Sequence, residues 1–499
     1  MTTGPWSARS TVSRRPASAH SSPSVNGVAA RTTLDQRALP YTGRARFRFE
    51  WGKSGGELRG RTIQFGTDGV RGVANKDLLP EDALRLGLAA ARSFGGKIAI
   101  GRDTRRSGEM LARALSAGAA SGGVDVVDLG VLPTPGVAAL APRLAATASA
   151  VVSASHNPFP DNGIKFFSRE GRKLAPEKEA EIEGLIESES LRPTGSGVGS
   201  IVGLDDAVQA YAEHVLGRLR PSASGMKVLL DCANGAAYRV APLVFGELGV
   251  DLTLRGVGPT GTNINDGCGS THVDELDASG QDVAFAFDGD ADRVLAVDEK
   301  GGVVDGDRII AILARDMQER GVLEGGVVVT VMSNLGFFKA MEAMGIPYEV
   351  TGVGDRHVAE AMGRLGASIG GEQSGHVIIS EHVTTGDGLI TALALLDVMV
   401  RSGKPLSELA GVMEKYPQTL INVRVHEPGA AKKVASSGAV IQAVSEAEER
   451  LGEEGRVLLR PSGTEPVVRV MVEHEDETVC RRVCEEVSRV VAGAGEEKA

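Results

Sequence analysis

The residue types that could do chemistry are concentrated in four short polar loops, at residues 153–158, 288–293, 371–376 and 460–466. In the first loop, Ser155 and His156 follow a run of small and apolar residues, and Pro158 then bars a regular helix. We therefore expect Ser155 at the carboxyl end of a buried strand, which is where α/β sheets bind ligands. A serine there could be a nucleophile or could carry a phosphoryl group, although a serine–histidine pair in a loop more often serves turn formation.

The second loop, Asp-Gly-Asp-Ala-Asp-Arg at residues 288–293, lies between two predicted apolar strands. Residues two apart in an extended chain face the same side, so Asp288, Asp290 and Asp292 converge and require a cation. Ligands that are all hard oxygens suit Mg²⁺ and disfavour zinc. The spacing also matches part of an EF-hand, but Arg293 replaces the glycine that such a loop needs, and the flanks are strands. A solvated acidic turn is the less favoured alternative.

The third loop, Gly-Glu-Gln-Ser-Gly-His at residues 371–376, brings Glu372, Ser374 and His376 close together in the chain. These groups could form hydrogen bonds to sugar-like hydroxyls and supply one acid/base group. An ordinary polar turn is an equally good interpretation of this loop taken alone.

The fourth loop, Arg-Pro-Ser-Gly-Thr-Glu-Pro at residues 460–466, is followed by Arg469. Two guanidinium groups, two hydroxyls and a glycine-containing turn could surround one phosphate. The loop is not a Walker A motif, because lysine is absent and a predicted strand follows in place of a helix. An ordinary turn with surface arginines is the alternative.

Together, the four loops predict phosphoryl transfer on a phosphorylated small molecule. One loop would hold a phosphate while the reaction takes place elsewhere, beside a serine and a metal site. A serine-hydrolase triad would explain neither the three aspartates nor the phosphate loop, and Ser155 lacks the Gly-x-Ser-x-Gly elbow.

These loops need a scaffold that brings them together, and the chain predicts one. Strand–loop–helix segments begin near Lys97, Val228 and Val327, which indicates three α/β units built on one plan. The last unit combines strands and helices differently and predicts a small α+β domain. We predict three similar α/β domains with mixed sheets and a smaller C-terminal α+β domain, at residues 61–210, 211–310, 311–420 and 421–499.

The composition is typical of a globular protein with more than one domain. The chain has 499 residues, 42% hydrophobic and 24% charged, and no apolar run long enough to span a membrane. Its four cysteines form no Cys-x-x-Cys motif, which favours reduced thiols in a cytoplasmic protein. Residues 1–49 are basic, but the chain carries −11 overall, and so acidic a body disfavours nucleic-acid binding. Residues 1–60 are themselves predicted to be a disordered extension; a transit peptide and a false start codon are the alternatives.

Five motifs occur in an order that resembles the α-D-phosphohexomutases. They are FGTDGVRG at 65–72, SASHNP at 153–158 continuing to DNGIKFF at 161–167, DGDADR at 288–293, GEQSGH at 371–376 and RPSGTEP at 460–466. The resemblance covers about residues 62–495 and implies four domains around a central cleft. The first motif, the EQSGH segment and Gly354-Asp355-Arg356 resemble the phosphoglucosamine branch more than the glucose or mannose branches.

The resemblance implies a role for each candidate site residue. Ser155 would be the phosphoserine that donates and receives the phosphoryl group, and its phosphate would complete a Mg²⁺ site made by Asp288, Asp290 and Asp292. Arg71, Lys165 and Arg293 would assist transfer, with His376 as an acid/base group, and Asp355, Arg356, Glu372 and Ser374 would face the sugar. The non-reacting phosphate would be held by Arg460, Ser462, Gly463, Thr464 and Arg469.

The implied reaction interconverts glucosamine 6-phosphate and glucosamine 1-phosphate through a phosphoserine enzyme and a glucosamine 1,6-bisphosphate intermediate. It would serve amino-sugar and cell-wall precursor synthesis. A phosphomannomutase or phosphoglucomutase of the same superfamily is the nearest alternative, and a non-catalytic phosphosugar-binding regulator is another. The expected partner is a small phosphosugar, with neither nucleic acid nor membrane. A homodimer and a kinase that primes Ser155 are left open.

Overall fold

The computed structural model describes residues 63–66, 68–188, 192–425, 430–462 and 466–496, which belong to one compact unit from Thr62 to Ala499. The predicted disordered extension, residues 1–60, lies outside the described residues. Among the described residues, no helix combines the length and the apolar character needed to cross a membrane.

Domain I is built on a six-stranded mixed sheet. Its strands are β1 (Val70–Val73), β2 (Lys97–Arg102), β3 (Asp125–Val131), β4 (Ala148–Val152), β5 (Asp161–Ser168) and β6 (Ile201–Gly203), and its helices are α1 (Pro80–Phe94), α2 (Arg106–Ser121), α3 (Thr134–Arg143) and α4 (Pro176–Ile186). The strand order is β1-β5-β4-β2-β3-β6, and β5 runs antiparallel to β4. Helices α1 and α2 cover one face of the sheet and α3 covers the other, so the small and apolar residues of β4 are buried on both sides.

Domains II and III repeat this plan with fewer strands. Domain II contains α5 (Ala207–Arg218), β7 (Lys227–Asp231), α6 (Ala237–Gly246), β8 (Asp251–Arg255), β9 (Val283–Phe287), β10 (Val294–Asp298) and β11 (Val303–Val304), in the sheet order β11-β10-β9-β7-β8. Domain III contains α7 (Gly306–Glu319), β12 (Val327–Thr330), α8 (Leu335–Met344), β13 (Tyr348–Thr351), α9 (Asp355–Leu365), β14 (Ile369–Gly371), β15 (Val377–Ile379), α10 (Gly388–Ser402) and α11 (Leu406–Leu409), in the sheet order β13-β12-β14-β15. Helices α5 and α7 cross the predicted boundaries near 210 and 310, so we propose the domain limits at their first residues.

Domain IV is a smaller α+β unit with a three-stranded antiparallel sheet in the order β16-β18-β17. It contains β16 (Gln418–Arg424), α12 (Ala430–Ala435), α13 (Gly438–Leu451), β17 (Gly455–Pro461), β18 (Val467–His474) and α14 (Glu477–Glu496). Its apolar residues form a core of their own, whereas one larger core runs through domains I, II and III. The predicted fold class, three α/β domains with mixed sheets and a smaller C-terminal domain, is confirmed.

One local feature recurs in the three α/β domains and positions the site. In each, a buried interior strand runs into a loop and then into an antiparallel strand, as β4–β5, β9–β10 and β14–β15. The three loops carry Ser155, the aspartates of residues 288–292, and residues 372–376. Equivalent positions in three similar domains therefore supply three different chemical groups.

Candidate active site

Ser155 lies on the loop that follows β4, as the sequence predicts. Its backbone is left-handed, with a φ of 52°, and only 3% of the residue is exposed. Its Oγ donates a hydrogen bond to Asp288 Oδ2 at 2.5 Å, so the loops of domains I and II meet at this hydroxyl. A residue other than glycine is strained at positive φ, and such strain is concentrated at functional sites.

The three aspartates of the second loop converge, as their spacing predicts. One oxygen from each of Asp288, Asp290 and Asp292 lies within 4.8 Å of the others, and all three residues are buried. The Oδ1 atoms of Asp290 and Asp292 are buried and accept no hydrogen bond from the described residues. Carboxylate oxygens this close repel one another, so the donor set fits a hard divalent cation.

Groups from domain I offset part of this negative charge. Lys165 Nζ, on β5, lies 3.1 Å from Asp290 Oδ2 and 3.4 Å from Asp292 Oδ2. Thr134 Oγ1, at the start of α3, donates to Asp290 Oδ2 at 2.5 Å. Burial would lower the pKa of Lys165, but Asp290, Asp68 and Asp292 together raise it, which keeps Lys165 an ammonium ion.

Protonation differs between Asp288 and Asp292. Burial and the charges of Asp292 and Asp290 raise the pKa of Asp288 well above its usual value. Burial also opposes ionisation of Asp292, but Lys165 holds the pKa of that carboxyl well below its usual range. Asp288 therefore carries the proton that must leave when a cation binds.

Arg71 and Lys173 are linked to the site by the carboxylate of Asp68, which both of them contact. Asp68 forms ion pairs with both side chains, and its Oδ2 lies 4.0 Å from Lys165 Nζ. Burial would raise the pKa of Asp68, but Lys165, Lys173 and Arg71 hold it below its usual range. The Arg71 side chain is 31% exposed, which leaves it accessible to an entering phosphate.

His156, which is not among the predicted site residues, contacts the serine hydroxyl. Its Nδ1 lies 3.4 Å from Ser155 Oγ and 3.1 Å from a terminal guanidinium nitrogen of Arg293. Burial, together with the charges of Arg293 and Arg71, lowers the pKa of His156 to about 4. The neutral ring therefore accepts a hydrogen bond from Arg293. The sequence signal for this contact is the position of His156 directly after Ser155, but serine–histidine pairs in loops more often form turns.

Two groups of the third loop remain accessible. Ser374 is exposed, and Glu372 is half-buried. Glu372 Oε1 accepts a hydrogen bond from the Gly354 N–H at 3.1 Å, and its backbone closes the loop with residues 375 and 376. Glu372 and Ser374 can therefore present hydrogen-bonding atoms to a ligand.

His376, the last residue of the third loop, is buried and only 2% exposed. Its Nδ1 lies 3.7 Å from Asp292 Oδ2, and its Nε2 lies 3.6 Å from Asp355 Oδ2. The Gly386 N–H donates to Nε2 at 3.0 Å, and a Cβ at position 386 would lie 2.5 Å from the ring. His376 therefore joins the aspartate loop to the start of α9.

Asp355 and Arg356, the first two residues of α9, form ion pairs with domain I. Asp355 Oδ2 lies 2.6 Å from Lys173 Nζ, and a terminal nitrogen of Arg356 lies 2.7 Å from Glu179 Oε1. A cavity of about 280 Å³ beside them is also lined by His376. These residues therefore connect two domains at the edge of the site.

The fourth loop places two arginines side by side. Arg460, on β17, is directly opposite Arg469, on β18, in the antiparallel register. Burial and the charge of Arg469 lower the pKa of Arg460, and the charge of Glu372 opposes them. Like charges on opposite residues destabilise a sheet, so an anion between the two guanidinium groups is favourable. Gly463 and Thr464 lie outside the described residues.

The chain matches four family models in order. Phosphoglucomutase/phosphomannomutase alpha/beta/alpha domain I matches residues 62–193, domain II matches 209–302, domain III matches 305–416 and the C-terminal domain matches 420–490. A phosphoglucosamine mutase of Rubrobacter xylanophilus is 68% identical over 440 residues, which cover 88% of this chain and 99% of that protein. This chain belongs to the phosphoglucosamine mutase family. The resemblance to the α-D-phosphohexomutases is thereby confirmed.

The other relatives are a second phosphoglucosamine mutase and two proteins whose solved structures have the same fold. That of Moorella thermoacetica is 52% identical over 442 residues, covering 86% of this chain and 99% of that protein. A putative phosphomannomutase of Thermus thermophilus has a solved structure with a TM-score of 0.68 and 26% identity, covering 86% of this chain and 99% of that one. The Aspergillus fumigatus N-acetylphosphoglucosamine mutase, solved with GlcNAc-6P and magnesium, shares the fold at a TM-score of 0.67 and 20% identity, covering 87% and 96%.

The first prediction concerns the close approach of the aspartate and serine loops. A Cβ at position 289 would lie 2.5 Å from the Ser155 carbonyl oxygen and 2.8 Å from Ile264 Cδ1. Gly289→Ala should push the loops apart and weaken divalent-cation binding by about tenfold or more, measured by isothermal titration calorimetry. Gly184→Ala is the control, because a Cβ there meets nothing within 4 Å. Equal cation affinities in the two variants would contradict this account of the loops.

The second prediction concerns pH. Because burial and two neighbouring carboxylates raise the pKa of Asp288, a proton occupies the site in the metal-free protein at low pH. Divalent-cation affinity should therefore rise with pH until Asp288 is ionised, and binding should release protons. Calorimetry in two buffers of different ionisation enthalpy measures that release. An affinity independent of pH, with no proton released, would refute the assignment.

Proposed function

We propose that the protein interconverts glucosamine 6-phosphate and glucosamine 1-phosphate, with Ser155 as the group that carries the phosphoryl. The observation that carries this proposal is the contact of the Ser155 hydroxyl with Asp288, one of three buried aspartates that lie together, while a pair of arginines lies on a separate domain. One phosphate can then be held in domain IV while the other is transferred at Ser155. The names of the relatives favour glucosamine phosphate over the glucose and mannose phosphates.

The metal in this proposal is Mg²⁺, held by Asp288, Asp290, Asp292 and the phosphate on Ser155. When bound, it would neutralise oxygens of the transferred phosphoryl group. The orphaned Oδ1 atoms of Asp290 and Asp292 support this placement, and the Aspergillus fumigatus relative was solved with magnesium.

Cationic side chains of the protein would supply the remaining positive charge around the transferred phosphoryl group. Lys165 is an ammonium ion beside two of the aspartates, so it would donate hydrogen bonds to the transferred group and would not act as its base. Arg293 and Arg71 supply further positive charge on the same side. Preorganised charge of this kind is the main source of catalysis in phosphoryl transfer.

The sugar would be held between domains III and IV. Glu372 and Ser374 would bind its hydroxyls, and the non-reacting phosphate would lie between Arg460 and Arg469, with Ser462, Gly463 and Thr464 closing the loop. A glucosamine 1,6-bisphosphate intermediate would turn over between the two half-reactions, so each of its phosphates meets Ser155 in turn. The separate core of domain IV suits a domain that opens and closes around the ligand.

His376, Asp355 and Arg356 would hold neighbouring site residues and domains in place. His376 is covered and flanked by two carboxylates, which favours a role in holding Asp292 and Asp355 over direct proton transfer. Asp355 and Arg356 would face the sugar and would also hold domain I against domain III, through their ion pairs with Lys173 and Glu179.

The burial of Ser155 favours one source of the first phosphoryl group over another. A protein kinase must take its substrate segment in an exposed, extended form, whereas Ser155 is left-handed and 3% exposed. Priming by a small donor such as glucosamine 1,6-bisphosphate, bound in the cleft, suits this geometry better than priming by a kinase. A homodimer remains a prediction from the sequence.

The third prediction tests the nucleophile and the sugar together. With Mg²⁺ and a trace of the matching bisphosphate, a coupled assay should show strong preference for glucosamine 6-phosphate over glucose 1-phosphate and mannose 1-phosphate. Ser155→Ala should lower kcat by roughly three orders of magnitude or more, whereas Ser222→Ala, at an exposed serine, should not. Preference for another sugar would refute the substrate, and an active Ser155→Ala variant would refute the nucleophile.

The fourth prediction concerns the arginine pair. Loss of a charge-assisted contact to phosphate costs about 1.5–3 kcal/mol, so Arg460→Gln should raise KM for glucosamine 6-phosphate by about one to two orders of magnitude. Arg424→Gln, which removes an exposed arginine of the same sheet, serves as the control. Steady-state kinetics measure both, and an unchanged KM in Arg460→Gln would exclude the pair as the phosphate site.

A further inference from the structure

The backbone of Ser155 is held by hydrogen bonds at both of its polar atoms. Its N–H donates to Ser153 Oγ at 2.9 Å, and Ser153 Oγ donates to Asp103 Oδ2 at 2.7 Å. Its carbonyl oxygen accepts from a terminal nitrogen of Arg105 at 2.8 Å and from Asn265 Nδ2 at 2.9 Å. The left-handed conformation of Ser155 is therefore stabilised by Ser153 within the loop and by Arg105 and Asn265 outside it.

All the side-chain N–H groups of Arg105 donate hydrogen bonds to Asp103 or to backbone carbonyls of residues 155–161. A guanidinium group has five N–H donors, and in Arg105 all five have acceptors. They are Asp103 Oδ2 and the carbonyl oxygens of Ser155, Asn157, Pro158 and Asp161. The side chains of Arg105 and Asp103 are both 0% exposed, so the ion pair that anchors this arrangement is completely buried.

Asn265 repeats the contact from domain II. Its Nδ2 donates to the carbonyl oxygens of Ser155 and Asn157, at 2.9 and 3.1 Å, which are also acceptors of Arg105. Asn265 is buried and itself left-handed, with a φ of 57°, a conformation that asparagine tolerates better than most residues. Two donors from two domains thus converge on the same pair of carbonyls.

We propose that Arg105 and Asn265 form a carbonyl clamp that positions the Ser155 hydroxyl against the aspartate loop for phosphoryl transfer. The clamp rests on the proposed function, because it matters only if Ser155 transfers the group. Arg105 and Asn265 touch neither substrate nor metal in this account; they are positioning residues. A shift of about 1 Å in a reacting atom can lower a rate roughly a hundredfold, so loss of the clamp should affect kcat.

Binding of substrate should be affected much less. The groups assigned to the sugar and the non-reacting phosphate lie in domains III and IV, whereas the clamp joins domains I and II. The clamp therefore predicts a fall in kcat with KM nearly unchanged. A purely structural role would instead reduce the amount of folded protein, or change both constants.

The test is Asn265→Gly in the full-length protein. Glycine keeps the left-handed backbone without strain but removes both N–H donors. We expect kcat with glucosamine 6-phosphate to fall about 10- to 100-fold and KM to stay within about twofold. Asn75→Gly is the matched control, since Asn75 is an exposed asparagine with a φ of 63°, and it should leave both constants unchanged.

Arg105→Lys provides a second variant, because lysine keeps a positive charge beside Asp103 but offers at most three donors. It should also lower kcat selectively, and its effect combined with Asn265→Gly should be less than the product of the two, since both act on the same carbonyls. An active wild-type protein with unchanged kcat in Asn265→Gly would overturn the clamp alone. An inactive wild-type protein would overturn the proposed function, and the crystal structure of the double variant Arg105→Lys/Asn265→Gly would then decide the clamp, because a Ser155 hydroxyl that stays against Asp288 would exclude it.

Discussion

Mutual repulsion among the buried carboxylates of residues 288, 290 and 292 is the constraint on which the site depends. Water is excluded there, so the charge has to be offset by groups that the fold brings in. Lys165, Arg293 and the hydroxyl of Thr134 come from three different segments, and a divalent cation would complete the balance. A phosphate on Ser155 would add negative charge at the same place, so metal and phosphoserine would stabilise each other. The same charges that hold the folded site together are thereby available to a transferring phosphoryl group.

The repeated domain plan explains how unlike groups come to one place. In domains I, II and III the loop after a buried interior strand carries, in turn, the serine, the three clustered aspartates and the residues proposed to face the sugar. Domains I and II are tied firmly at this point, because the carbonyl clamp and Gly289 bring their loops into contact. Domain IV, with its own core, carries the two paired arginines that are proposed to bind the distant phosphate. A rigid reaction centre and a separate phosphate-binding domain would suit an intermediate that has to turn over between two steps.

Much of this arrangement could be predicted from local sequence. The strand β9 and the alternating aspartates that follow it were predicted because apolar runs and residue spacing are local signals. The roles of Thr134, Asp68, Lys173 and Asn265 could not be predicted, since each depends on contacts between segments far apart in the chain, and their residue types are common on any surface. The ion pairs of Asp355 and Arg356 with domain I are likewise visible only once the domains are placed together. Helix starts such as that of α9 gave no sign of which partner they face.

The most direct test of the account is a single-turnover chase of protein that carries a radioactive phosphate on Ser155. Glucosamine 6-phosphate and Mg²⁺ are added, and the label is followed in the protein, the bisphosphate, the monophosphate and inorganic phosphate. The account predicts that the label leaves Ser155 for glucosamine 1,6-bisphosphate and then appears in glucosamine 1-phosphate as well as back on the protein. Label that stays on Ser155, or that is released only as inorganic phosphate, would contradict the central claim that this serine transfers its phosphoryl group to the sugar.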